Sequence, residues 1–120
     1  MRELTSHKVN GLNEAITIRV LDEPGPGNAC HRYEIDVVGN VDAICDIQFQ
    51  NGPVIESGFN GISNEALLAV VEDRLAGFQS GPFACRENAV ALTKVQEAMM
   101  WLLKRTRDRL ARGVEGTSVK

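Results

Sequence analysis

The sequence predicts an α+β chain, with a small N-terminal antiparallel sheet followed by a helical hairpin whose second helix is long. Three observations carry this. Apolar residues recur at every second position through the first half. The spacing then changes to threes and fours after Gly58-Phe59-Asn60-Gly61. The last such run extends from about Asn88 to Arg112, where Gly113 supplies a stop.

Residues 1–14 are polar and without period, and are expected to be a loose arm. From Ala15 to Asp22, Ile16, Ile18 and Val20 alternate with Thr17 and Arg19, which is strand periodicity. Glu23-Pro24-Gly25-Pro26-Gly27-Asn28 breaks it as a loop. Tyr33, Ile35 and Val37 mark a second strand, and Cys45, Ile47 and Phe49 a third. Asn51-Gly52 is a common two-residue hairpin signal, because both positions tolerate positive φ, so a fourth strand is expected through Val54 and Ile55.

Ser63 is placed to cap a helix with apolar face Leu67, Leu68, Val71, Leu75 and Phe78, ended by Gly77 and Ser80-Gly81-Pro82. The second helix is expected to open near Asn88, a candidate cap. Its stripe is Leu92, Val95, Met99, Leu102 and Thr106, as in a coiled-coil seam. A neighbouring stripe of Ala91, Ala98, Met100, Trp101 and Leu103 exceeds what one partner helix covers. Such a helix is roughly 36 Å long, against a globule radius of about 13–14 Å. The surplus apolar face therefore predicts an oligomer. By length, residues 1–120 read as a single domain: sheet 15–56, hairpin 63–112, tail 113–120.

Composition excludes several classes. The net charge is −3, from 13 Lys+Arg against 16 Asp+Glu, without the basic footprint of a duplex nucleic-acid binder. Cys30, Cys45 and Cys85 are odd in number and far apart, and His7 and His31 lack partner spacing, so neither a disulfide framework nor a metal site is expected. Free thiols suit a reducing cytosol. No apolar run is long enough to span a bilayer, and the first residues lack an export-signal core, so a soluble cytoplasmic protein is expected.

The one local charge excess runs from Lys104 to Arg112, with Lys104, Arg105, Arg107, Arg109 and Arg112 against Asp108. Arg105, Arg109 and Arg112 fall on one helix face, and guanidinium forks suit phosphate. Equally, cations complement a helix C-terminus, and Asp108–Arg112 reads as an i,i+4 ion pair. Phe78 reads as core or as an aromatic left open to stack on a base. Asn88 reads as a cap or as a reader of a base edge. Gly25-Pro26-Gly27-Asn28 and Gly58-Phe59-Asn60-Gly61 are turns, lacking the lysine and the full glycine pattern of phosphate loops. No nucleophile elbow, metal-binding helix motif or Cys with a motif-linked His occurs. A binding protein fits better than an enzyme, with no cofactor required.

The stretch Phe78-Gln-Ser-Gly-Pro-Phe-Ala-Cys-Arg-Glu-Asn88, continuing through Trp101-Leu-Leu-Lys-Arg-Thr106 to Arg112-Gly-Val-Glu-Gly-Thr117, closely resembles the helical hairpin of two phage anti-defence families. One is the Thoeris anti-defence sponge, which traps glycocyclic ADP-ribose. The other is the anti-CBASS sponge, which traps cyclic di- and trinucleotides. The likeness covers about residues 63–117, and Ile47-Gln-Phe-Gln-Asn-Gly-Pro-Val-Ile-Glu-x-Gly-Phe-Asn-Gly61 also looks like the Thoeris group. A sheet ahead of the hairpin favours that group. The resemblance implies a hexamer arranged as a trimer of dimers, acting in the cytoplasm of an infected bacterial host. It implies nucleotide contacts from Phe78, Asn88, Arg105 and Arg109. It also implies a second pocket for cyclic oligonucleotides in some members, assigned here to Arg112, Gly113, Gly116 and Thr117. The rival readings are an enzyme that cleaves the messenger and a protein-interaction module docking through the long helix.

Overall fold

The computed structural model describes the backbone of residues 1–120 and every side chain except that of Pro26. The α+β expectation is borne out, with an antiparallel sheet in the first half and helices in the second. The chain divides into two compact units, Met1–Ile62 and Ser63–Lys120.

In the first unit, β1 (Arg2–Leu4), β2 (Ile16–Val20), β3 (Arg32–Val37) and β4 (Asn40–Gln48) form a meander in that spatial order. Every neighbouring pair is antiparallel. The register places Ile18 opposite Ile35 and Val20 opposite Tyr33, and Tyr33 in turn opposite Ile47. Directly opposed residues share a face, so the alternating apolar residues gather on one side. Val20 is fully buried there. Tyr33 meets Phe49 edge to face, 5.6 Å between ring centroids.

The other face is charged. Arg19 donates to Asp36 at 2.6 Å and to Glu34 at 3.0 Å. The Asp36 hydrogen bond outweighs desolvation and raises the Arg19 pKa. Just past β2, the Asp22 carboxylate is desolvated, which pushes its pKa up. Opposing contributions, led by hydrogen bonds from the backbone N–H groups of His31 and Arg32 at 2.9 and 3.1 Å, together outweigh this and hold it below its ordinary value.

Several expectations for this unit are corrected. Residues 1–14 are not a loose arm. β1 pairs with β2, and α1 (Gly11–Ala15) is capped by Asn10, whose side chain accepts from the Asn13 N–H at 2.9 Å. β4 starts at Asn40 after a tight turn at Val38-Gly39, where Gly39 has φ +80°. The expected hairpin at Asn51-Gly52 and the strand through Val54 and Ile55 do not form. Pro53 instead opens a helical turn, α2 (Val54–Ser57), with the Ser57 N–H donating to the Pro53 carbonyl at 2.8 Å. The fixed φ of proline suits a helix start and removes the N–H that a ladder would need. The chain then returns alongside β4 through a parallel Phe49–Ile62 bridge.

Side chains pin that return. Asn60 donates to the Asn51 carbonyl and accepts from its N–H, both at 2.7 Å, while Gln50 donates to the Gly58 carbonyl at 2.7 Å. At Gly61 a Cβ would lie 2.4 Å from the Phe49 carbonyl carbon, so only glycine fits.

In the second unit, α3 (Asn64–Gln79) and α4 (Arg86–Ala111) pack as a hairpin. Ser63 caps α3 as expected, its hydroxyl accepting from the Ala66 N–H at 3.1 Å. The helix continues through Gly77 rather than stopping there. The cap of α4 is Cys85, not Asn88. Its sulfur accepts the Asn88 N–H at 3.5 Å, placing Asn88 inside the first turn. At 26 residues α4 is roughly 39 Å long. Its expected seam of Leu92, Val95, Met99, Leu102 and Thr106 is the half-buried face. The one buried residue on either helix is not apolar: it is Arg109.

Candidate functional site

The nominated residues fall at opposite ends of the hairpin. At the tip, Phe78 occupies the last turn of α3 and remains 38% exposed, so it is not sealed into a core. The guanidinium carbon of Arg74, one turn earlier, lies 5.0 Å from the centre of its ring. Asn88, half-buried, lies in the first turn of α4, and its side chain makes no hydrogen bond among the described residues. With the capping role taken by Cys85, the Asn88 amide is uncommitted.

At the far end of α4 lies an open groove of about 420 Å³. Trp101 lines it together with the cations Lys104, Arg105, Arg109, Arg112 and Lys120, against the one acid Asp108. The helical repeat brings Trp101, Arg105 and Arg112 to one side. The expected Asp108–Arg112 pair does not form: Asp108 accepts from Lys104 at 2.6 Å, and Arg112 donates to the Lys120 carbonyl. Arg105 makes no ion pair among the described residues and is exposed.

Arg109 behaves differently. It is 7% exposed, and its guanidinium donates to the carboxylate of Glu115 at 3.1 Å. It also donates to the carbonyls of Val114 at 2.9 Å, Thr117 at 3.0 Å and Val119. The tail is thereby wound onto the end of α4, with Gly113 and Gly116 at φ +74° and +82° making its two sharp turns. Thr117 faces inward, its hydroxyl donating to the Val114 carbonyl. Of the residues nominated for a second pocket, Gly113, Gly116 and Thr117 form this clasp, and Arg112 lines the groove beside it.

Two further residues flank these positions, Trp101 at the groove and Arg74 at the tip. Trp101, read as surplus apolar surface, is 71% exposed and also borders a second groove of about 390 Å³, lined by Glu97, Met100, Lys104 and Arg107. Its i,i+4 spacing to Arg105 was the available signal. Arg74 was likewise readable as an i,i+4 partner of Phe78. Among the described residues no cluster of His, Cys, Asp and Glu could hold a metal ion, and no helix is long and apolar enough to cross a membrane.

The family model described as "Acb2/Tad1, hairpin domain" matches residues 42–107. That span runs from β4 through α3 and most of α4, and includes Phe78, Asn88 and Arg105. A protein named "Thoeris anti-defense 1", from Bacillus phage SBSphiJ7, is 56% identical over 77 residues, 64% of this chain and 54% of its own length. The chain therefore spans about half the length of that curated relative. With the model matched over more than half of its residues, the chain belongs to the Acb2/Tad1 hairpin-domain family.

Proposed function

We propose that the chain is a phage anti-defence protein that sequesters a host immune signalling nucleotide, glycocyclic ADP-ribose, without cleaving it. The observation that carries this is the cationic groove beside Trp101, in a chain whose overall charge is negative. Exposed guanidinium groups there suit a diphosphate, and the open ring of Phe78 with the uncommitted Asn88 amide suits a base.

One chain cannot bring these groups to one ligand. Asn88 and Arg105 are separated by roughly 25 Å along α4, at 1.5 Å per residue. A nucleotide that touches both ends must lie between two copies whose long helices run antiparallel, the tip of one beside the groove of the other. The exposed Met100 and Trp101 supply the apolar surface for such pairing, which agrees with a hexamer built as a trimer of dimers. In this arrangement Arg105 takes the diphosphate directly. Arg109 shapes the groove, and reaches the ligand where the tail yields. The tail segment Arg112, Gly113, Gly116 and Thr117 is the place for a second ligand of the cyclic di- or trinucleotide class. No cofactor or metal is called for. The site of action is the cytoplasm of the infected bacterial host.

Starving a host effector takes roughly nanomolar affinity, about −12 kcal/mol. The test is capture and release: incubate purified protein with glycocyclic ADP-ribose, filter, heat the retained protein, and chromatograph what is freed. Intact nucleotide recovered only after heating supports sequestration, and a converted product would make the protein an enzyme. The exposed Met100–Trp101 surface also favours a second reading, a protein-interaction module. Failure to retain glycocyclic ADP-ribose and cyclic di- and trinucleotides alike would put that reading ahead.

A further inference from the structure

Arg74 is the only basic residue on α3. Its sequence neighbours Glu72 and Asp73 project from other sides of the helix, its i+4 neighbour is Phe78, and it forms no ion pair among the described residues. Its guanidinium lies instead over the ring of Phe78, 5.0 Å from the centroid. The ring is 38% exposed, so the guanidinium rests on a face that a base could otherwise use. A planar guanidinium stacks on a base as readily as on a ring.

We propose that Arg74 is a further ligand-binding residue, closing a three-layer stack in which the base lies between the Phe78 ring and the Arg74 guanidinium. The inference rests on the nucleotide-sequestering reading above. Stacked layers sit about 3.5–4 Å apart, so the outer two would be roughly 7–8 Å apart once a base is inserted. The guanidinium must then move out by about 2–3 Å from its position 5.0 Å over the ring, within reach of rotamer changes in a long flexible stem. In the free protein Arg74 rests over one face of the ring. In the complex it covers the base, and its charge lies near the phosphates.

The experiment is a double-mutant cycle on the full chain, read as the dissociation constant for glycocyclic ADP-ribose by calorimetry. Arg74→Ala is expected to weaken binding about 10-fold, with melting temperature and oligomeric state unchanged because the side chain is exposed. Arg74→Lys is expected to be nearly as weak, since an ammonium keeps the charge but has no planar face. In a Phe78→Ala background, Arg74→Ala is expected to cost less than 2-fold. Unchanged affinity in Arg74→Ala overturns the inference, as does full rescue by Arg74→Lys or an undiminished loss in the Phe78→Ala background. If the wild-type protein binds no glycocyclic ADP-ribose, the underlying functional reading fails first and takes this one with it.

Discussion

Arg105 and Arg109 stand one turn apart on the same helix, yet their surroundings give them different work. Arg109 is enclosed by Glu115 and three tail carbonyls, so removing it leaves these part-buried acceptors without their donor and frees the tail. Arg109→Ala is expected to cost about 2–4 kcal/mol in denaturant unfolding. Arg105→Ala should stay within about 0.5 kcal/mol in the same assay, while nucleotide retention falls sharply. This distinction was not legible in the sequence, because the groups that enclose Arg109 belong to a tail whose path depends on two positive-φ glycines. Asp22 makes a pH prediction. Although desolvation opposes it, hydrogen bonds from the His31 and Arg32 N–H groups hold its pKa below the ordinary value. In acid the unfolded chain therefore takes up the proton first, so the stabilisation is complete above the ordinary carboxyl range and lost as pH falls through the lower native value. Stability measured from pH 7 to pH 3 should fall more steeply for the wild type than for Asp22→Asn.

Elements announced by long periodic runs were legible: β2 and β3 from alternation, α3 and α4 from spacings of three and four. What failed were short pieces governed by backbone geometry. β1 has only three residues, too few to show a period. The Asn51-Gly52 signal was outweighed by Pro53, which commits the chain to a helical turn. Asparagine favours a cap position, but a cysteine three residues before Asn88 holds it. The loop after β4 closes only because Gly61 lies flush against Phe49. Gly61→Ala should accordingly cost more than about 2 kcal/mol and raise amide exchange across residues 50–60. A weak sulfur cap can be improved. Cys85→Ser is expected to add about 0.5 kcal/mol to unfolding stability, measured by the denaturant midpoint at unchanged slope.

For the molecule as a whole, the hairpin leaves much of its apolar surface uncovered: no apolar side chain of α3 or α4 is buried, and Met100, Trp101 and Leu110 are each more than half exposed. If copies cover this surface for one another, the melting temperature will rise with protein concentration. Trp101→Glu should abolish that dependence, yield a smaller species in sedimentation, and lose nucleotide retention even with Phe78, Asn88 and Arg105 intact. β4 has a different consequence. It is a nine-residue strand at the border of the sheet, with Val41 85% and Ile44 55% exposed. A strand of that length and composition with an open outer edge is a template for amyloid growth. Its two carboxylates, Asp42 and Asp46, act as gatekeepers, since antiparallel stacking of identical strands would set them against one another. Replacing both with asparagine should leave the fold intact while shortening the lag before thioflavin-positive fibrils appear, so this strand trades solubility against nothing but charge.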